Sequence, residues 1–298
     1  MIRIKVNLLA SDSLGVRSMA TNIVTKECNI LIDPSVALSP KRKRLPPSNK
    51  ENTLMKTYIQ HIKETATYAD IIVISHYHYD HVSFDPSLYQ NKMVYAKDIT
   101  HHINASQKER GESLQHLVSD DCTLYFCDDT SHHFGKTKIT FSPPVPHGPS
   151  NSRLGYVVMV TIDDGRKRVL FSSDVQGPVD SKATAFIIDQ NPDLLILDGP
   201  PTYLLGWRFG KKNLDKAAEN LNDIIRKTNA DIIMDHHPCR DLNYKQKFPT
   251  PFEIYRETHG SDIMTFADYM GKENLFCEAL RKTIREQEAQ DQLSSNTK

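Results

Sequence analysis

The chain has 298 residues, 39% hydrophobic and 25% charged, with 37 Lys and Arg balancing 37 Asp and Glu. This is the composition of a folded protein rather than a disordered or fibrous one, and the zero formal charge excludes whole-molecule attraction to nucleic acid or an anionic membrane, so electrostatic recognition must come from a local patch. Five cysteines without a C-x-x-C pair suggest neither a disulfide framework nor a thiolate zinc site, and the absence of a signal-peptide core or of an apolar run near the ~20 residues of a membrane span sets the expectation of a cytoplasmic protein without membrane association.

Length allows two average domains or one large one, and one is expected here, covering 1–298 with insertions. Ile2–Leu9, Ala20–Val24 and Asn29–Ile32 read as the short strands of an opening meander, which Asp33-Pro34 ends. The stretch Pro40–Asn49 carries three prolines and the consecutive cations Lys41, Arg42, Lys43 and Arg44, so it is a surface loop. A helix is expected over Leu54–Ala69. Ile71–Ile74 is an unbroken aliphatic run, the mark of a strand buried on both faces. The polar region of about 99–130 reads as a partly helical insertion, either a lid or a decoration. Strands are expected at Lys138–Ser142, Gly155–Ile162, Val169–Ser173 and Leu194–Leu197. Asn213–Asn229 puts Leu214, Ala217, Ala218, Leu221, Ile224 and Ile225 on one helical face, and the strand Asp231–Met234 follows at once. A helical tail is expected over about 263–298, fraying in its last five residues.

The buried strand Ile71–Ile74 runs into Ser75-His76-Tyr77-His78-Tyr79-Asp80-His81. Four donors within six residues converge only if the backbone turns sharply there, and the end of a strand is where α/β folds place their sites. Imidazole and carboxylate are the ligands of zinc, manganese or iron, and Asp80 adds the oxygen donor common in catalytic zinc sites. Any one of these histidines alone would more often be a core or solvent side chain; the set is what points to a metal.

H-x-H-x-D-H after an aliphatic strand resembles the signature of the metallo-β-lactamase superfamily, and further motifs resemble it in order. Pro146-His147-Gly148 precedes Gly155-Tyr156, Asp174 follows the strand Val169–Ser173, His236 follows Ile232–Asp235, and Asp33 ends an early strand. The likeness extends from Asp33 to His237. It implies a four-layer αβ/βα sandwich, α/β in class, with two mixed sheets packed together, helices on the outer faces and metals at one sheet edge. It also implies that His76, His78 and His147 hold one divalent cation, that Asp80, His81 and His236 hold a second, that Asp174 bridges them, and that Asp33 supports the site from behind. His237 competes with His236, which is preferred for its spacing from the strand. Zinc is expected first, manganese or iron next. Two cations about 3.5 to 4 Å apart activate a water and hold the leaving oxygen, so the implied nucleophile is a metal-bound hydroxide, with no Ser or Cys required. Histidine rather than glutamate at position 78 argues for hydrolysis over the redox di-iron branch. Asp33–Arg42 and Asp235-His236-His237 further resemble an archaeal branch of the superfamily, which implies no particular substrate.

Charge runs such as Lys41–Arg44 are usually solvated, but the resemblance puts the loop after Asp33 near the metal face, where Lys41, Arg42 and Arg44, with Arg240, would capture an anionic substrate. Arg153 and Lys245 have the same chemistry and nothing local to single them out. The pairs His101-His102 and His132-His133 are expected to be non-ligands. Asp198 stands where the branch that processes tRNA ends carries a His-Glu pair, so it would hold a ligand histidine or act in proton transfer, beside Asp80 and Asp174 as the other catalytic carboxylates. Trp207 and Phe209 are expected in the core rather than the pocket.

These readings predict a metal-dependent hydrolase of an ester-type bond, with a phosphodiester or other small anionic substrate ahead of a lactone or thioester. The second enzymatic reading is a nuclease acting on RNA or DNA ends, and the neutral net charge favours a small molecule or a short end. A non-catalytic metal-binding scaffold is the third, disfavoured by the completeness of the donor set. A homodimer is the default oligomeric state.

Overall fold

The computed structural model describes residues 4–118 and 122–296. Residues 1–3, 119–121 and 297–298 lie outside it, and with them the start of the expected first strand, an internal part of the expected insertion and the end of the expected tail. The first sheet is assembled in sequence order from β1 (Lys5–Leu8), β2 (Thr21–Val24), β3 (Asn29–Ile32), β4 (Ile71–Ile74), β5 (Met93–Ala96) and β6 (Thr123–Phe126). β1 to β3 form the expected antiparallel meander, and β3 to β6 run parallel. A parallel return needs a crossover, which α1 (Asn49–Ala66) supplies between β3 and β4 and α2 (Ala105–Val118) between β5 and β6.

The second sheet begins with β7 (Ser131–Phe134) and β8 (Thr137–Phe141), passes the short ladder of β9 (Val145–Pro146) with β10 (Tyr156–Val157), and continues through β11 (Val160–Asp163) and β12 (Arg168–Phe171). Then come α3 (Ser181–Gln190), β13 (Leu194–Asp198), α4 (Lys211–Lys227) and β14 (Asp231–Asp235). Its spatial order is β14-β13-β12-β11-β8-β7, parallel among the first three and antiparallel beyond. The chain closes with α5 (Tyr244–Lys247), α6 (Pro249–His259), α7 (Phe266–Tyr269) and α8 (Cys277–Asn296).

Strand alternation explains the layers. Along β4, Ile71 and Val73 join Ile30, Ile32, Phe141, Ile162, Phe171 and Ile196 in a core between the two sheets. Ile72 and Ile74 point the other way, against Ile62 and Ala66 of α1 and Leu114 and Val118 of α2. Leu195, Leu197, Ile232 and Met234 face outward in the second sheet and are covered by Ala183 and Ile187 of α3, Leu214, Leu221 and Ile224 of α4, and Phe252 of α6. Both central strands thus bury both faces, as two sheets packed face to face under outer helices require.

Several boundaries differ from the sequence expectation. α1 starts at Asn49 because Ser48 and Glu51 form a capping box. The region around 99–130 is not an insertion: α2 is the crossover helix and β6 the edge strand of the first sheet. Gly155–Ile162 breaks into β10 and β11, and the tail is two helices rather than one, with α8 running on to Asn296.

α8 anchors the basic loop. Arg281 meets Glu51 at 2.8 Å with both side chains 1% exposed, and its other terminal nitrogen donates to the carbonyls of Ser39 and Leu45. Removing one partner of a buried ion pair strands the other charge at a cost of about 3–5 kcal/mol. Glu51→Ala is therefore expected to lower the melting temperature by roughly 10 °C; an unchanged thermal midpoint would show the pair to be dispensable.

Candidate metal centre

Where the chain leaves β4, the carbonyl of His78 accepts from the amides of His81 and Val82, both at 2.9 Å. This closes the turn that brings His76, His78, Asp80 and His81 together. Tyr77 is buried behind them: its hydroxyl donates to the Lys97 carbonyl, its amide donates to Gln107, and its carbonyl accepts from Arg110 at 2.7 Å. α2 thus braces the motif, and Gly111 permits the approach, since a Cβ there would lie 2.9 Å from the Tyr77 ring. Asp174 follows β12, Asp198 ends β13 and His236 follows β14, so three parallel strands deliver them from the second sheet. Asp33, Ser173, Gln176 and His236 all have left-handed backbone, with φ of 48°, 54°, 55° and 70°. Such strain in non-glycine residues clusters at functional sites.

Asp174 is the hub. Its Oδ2 lies 3.0 Å from Nε2 of His147, 3.5 Å from that of His236 and 3.6 Å from that of His76, and its Oδ1 lies 3.1 Å from Nε2 of His81. Nε2 of His236 is also 3.6 Å from Asp80 Oδ2. Donors about 2.1 Å from a tetrahedral cation stand about 3.4 Å apart, so these separations suit ligation. Nε2 of His76, His81 and His147 and Oδ1 of Asp174 are buried with no hydrogen-bond partner among the described residues. Each such group costs about 1–3 kcal/mol unless something satisfies it. Donor atoms within 4.8 Å of one another form the groups His76, His78, His147 and Asp174; Asp80, His81 and His236; Asp33, His76 and His81; and Asp174, His236 and His237. The imidazole and carboxylate donors fit a divalent metal ion. Neither His101-His102 nor His132-His133 enters a group among the described residues.

Most of the rings are also held by the nitrogen opposite the converging one. Asp33 accepts from the Ser75 amide and hydroxyl and sits 2.7 Å from His81 Nδ1. The hydroxyls of Ser75 and Ser173 lie 3.1 and 3.2 Å from His76 Nδ1. Asp12 lies 2.9 Å from His236 Nδ1 and accepts from Arg240 Nε at 2.8 Å. Asp198 takes the Gln176 amide on one oxygen and sits 2.8 Å from His237 Nδ1 with the other. The two adjacent histidines differ in their surroundings: His236 groups with Asp80 and His81, whereas His237 sits on Asp198 and lines the cleft, and both also group with Asp174. Asp12, Ser75, Ser173 and Gln176 were not anticipated; the polar run Ser11-Asp12-Ser13 after a strand is the only local hint of Asp12.

A cleft of about 1000 Å³ leads to the centre, and its lining cations are Arg17, Arg110, Arg153, Arg208 and Arg240. The expected Lys41, Arg42 and Arg44 are not among them. Arg42 turns to the Arg240 carbonyl and stacks 4.7 Å from the Tyr203 ring centroid, while Lys41 and Arg44 are exposed. Arg281 holds the loop through the carbonyls of Ser39 and Leu45 on either side of its cations. Arg240 does reach the cleft, but from beneath: it is 2% exposed, tied to Asp12, with Nη2 3.5 Å from Asp80.

Burial, with the nearby His147, pushes His78 down to about 3, and burial with His81 holds His76 well below its ordinary value. Burial opposes protonation of His81 and His236 too, but there Asp174, with Asp33 and Asp12 respectively, prevails; His81 is raised well above its ordinary value and His236 to about 10. Without metal, the His76/His78 side is therefore neutral and ready to ligate, while the His81/His236 side must shed protons first. The first equivalent of zinc should bind with little pH dependence. The second should bind more tightly as pH rises, with proton release visible by calorimetry in two buffers of different ionisation enthalpy. Equal proton release for both equivalents would contradict this asymmetry.

Residues 28–227 match the beta-lactamase superfamily domain. The metallo-β-lactamase fold protein YhfI from Bacillus subtilis superposes with a TM-score of 0.54 at 16% identity, over 89% of this chain and 97% of that one. CmlA, a diiron β-hydroxylase from Streptomyces venezuelae, superposes with a TM-score of 0.52 at 11% identity, over 88% of this chain and 52% of that one. Fold and site together define a protein of the beta-lactamase superfamily, a fold family that binds metal ions. A UPF0282 protein of Methanocaldococcus jannaschii is 40% identical over 295 residues, covering 95% of this chain and 97% of its own. The chain belongs to this UPF0282 family of archaeal proteins. No helix of the described residues is long and apolar enough to cross a membrane.

Proposed function

We propose that this chain is a metal-dependent hydrolase of a phosphodiester or closely related anionic ester, with His76, His78 and His147 holding one divalent cation, Asp80, His81 and His236 the other, and Asp174 shared. The observation that carries this reading is the convergence of four buried donor atoms that make no well-aligned hydrogen bond, with His81 and His147 Nε2 only 3.1 and 3.0 Å from Asp174. When bound, the cations supply Lewis acidity and an activated water, zinc being the first choice for these donors. Asp174 orients both donor groups, and Asp33 and Asp12 fix the His81 and His236 rings. His237 lines the cleft while Asp198 holds its Nδ1, so this pair is placed to keep a proton near a leaving oxygen.

The cleft supports an anionic substrate. Arg17 and Arg240 are paired with Glu278 and Asp12, whereas Arg110, Arg153 and Arg208 have no carboxylate partner among the described residues. Three guanidinium groups left unneutralised attract phosphate and would be of little use to a neutral lactone or thioester. CmlA shares the fold and is a diiron β-hydroxylase, so fold alone does not choose the reaction; histidine at 78 is what favours hydrolysis. The test is elemental analysis of the purified protein with assays on bis-(p-nitrophenyl) phosphate, a lactone and a thioester, each with zinc, manganese or iron. Two metals and phosphodiester cleavage are expected. No metal under any loading, or cleavage of the lactone or thioester alone, would overturn the proposal.

A further inference from the structure

The cleft is framed by aromatic rings that carry guanidinium groups. Tyr79, between His78 and Asp80, lines the cleft, is 59% exposed, and has Arg110 4.6 Å from its ring centroid. Trp207 is 73% exposed and has Arg208 at 4.2 Å. The core position expected for Trp207 fails for a local reason: Leu205 and Phe209 pair across a tight turn, with Gly206 at a φ of 82°, and this lifts Trp207 to the tip. Its neighbours Arg208 and Phe209 line the cleft, so Trp207 stands at the rim.

Leaving an aromatic ring in water forfeits about 25 cal/mol for each Å² of apolar surface, and at both positions the exposed ring comes with an arginine free of any carboxylate. A guanidinium covers one face of a ring, and the Tyr79 ring also meets Phe84 edge to face at 6.1 Å between centroids, yet the exposure of Tyr79 and Trp207 leaves ring surface for a second flat group. Inorganic phosphate would use the arginines without the rings, a sugar the rings without the arginines, and a plain acyl ester neither. A flat group joined to phosphate uses both, and nucleobases bind proteins by stacking on aromatic side chains beside cations that track the phosphate. The zero formal charge of the chain and a cleft of about 1000 Å³ favour one or two nucleotides over a long strand.

We infer that the cleft takes a nucleoside phosphodiester, its phosphate at the His/Asp cluster and its bases on the exposed ring surfaces of Tyr79 and Trp207. The bond cleaved rests on the hydrolase reading above; the binding does not. Trp207 is the only tryptophan of the chain, so its fluorescence reports on the rim without turnover. Full-length protein as purified is titrated with phosphorothioate-linked UpA, which resists hydrolysis, with inorganic phosphate, and with a phosphorothioate RNA of eight nucleotides. UpA is expected to quench the fluorescence saturably and to bind at least about tenfold more tightly than phosphate, since stacking one base contributes ~1–3 kcal/mol. Arg208→Ala and Tyr79→Ala should each weaken UpA binding about tenfold, with unchanged circular dichroism. The octamer binding more tightly than UpA would assign the site to strand ends, and equal affinity to free dinucleotides; both support the inference. UpA binding no better than phosphate and without quenching overturns it, and if bis-(p-nitrophenyl) phosphate is still cleaved the hydrolase reading survives. Quenching by UpA in a metal-loaded protein that cleaves no phosphodiester keeps the nucleotide site and sinks the hydrolase reading instead.

Discussion

Asp174→Ala is expected to give a folded protein that has lost most of its bound metal and at least about 10³-fold of its kcat/KM, because the several kcal/mol that a metal centre supplies to the transition state go with it. The carboxylate stands within 3.6 Å of the Nε2 atoms of four histidines that belong to two different donor groups. On the proposed assignment, its loss takes a donor from both groups at once. The backbone of β12 that carries it is paired on both sides, with β11 and β13, so the sheet should persist. Without metal, the variant is spared the burial of a carboxylate that is 1% exposed but forfeits its attraction to His81 and His236, and the two terms oppose each other. The melting temperature of chelated protein should thus change little, while the rise produced by zinc in the parent should vanish, since that rise depends on binding to the folded state. His78→Ala is the control: it removes a donor from one group only and should cost about one metal. An Asp174→Ala protein that still holds two metals would show that the carboxylate is not shared.

What the sequence made legible follows the range over which each signal acts. His76, His78, Asp80 and His81 lie in one turn after a strand whose four residues are all buried, so local pattern and local chemistry agree there. Asp33, His147, Asp174 and His236 were picked out by their resemblance to the superfamily's order of motifs, and the fold gathers their donor atoms with those of the local cluster. Asp12 was not, for its partner Arg240 lies 228 residues away and nothing near either residue announces the pairing. The role of α2 was hidden for another reason: Leu114 and Val118 are its only large apolar residues in the core, so the helix lacks a clear apolar stripe, although Gln107 and Arg110 on it brace Tyr77. β7, Ser-His-His-Phe, is a half-exposed edge strand with too few apolar residues to alternate visibly. The basic run at 41–44 was the most conspicuous charge in the sequence and misled for that reason; the clefts of folded proteins are lined by residues that topology gathers, here arginines from five separate segments.

Asp198→Asn is expected to stabilise the metal-free protein while lowering the activity of the hydrolase proposed above. Burial, and then the carboxylate of Asp174, push Asp198 up to about 8, whereas an unfolded chain releases the same proton near 4. Between those values the unfolded state sheds a proton that the folded state keeps, so the stability this residue contributes to metal-free protein falls as pH rises from about 4 to about 8 and is level on either side. Asparagine carries no such proton. Chelated Asp198→Asn should therefore melt above the chelated parent at pH 8, and by a smaller margin at pH 5. Activity should move the other way. The carboxylate accepts from the His237 amide and holds its Nδ1, and an asparagine can turn its NH₂ to that nitrogen and fix the wrong tautomer. On the proposed role of His237 in proton transfer, misdirecting it so should cost kcat about 10²-fold or more, with metal content and KM retained because neither proposed donor group loses a member. Melting curves of chelated protein at pH 5 and 8, set beside kcat for bis-(p-nitrophenyl) phosphate, separate the two effects: a variant with the kcat of the parent would show that no proton passes through His237 and Asp198, and one that melts lower at pH 8 would show that Asp198 is already ionised in the folded chain.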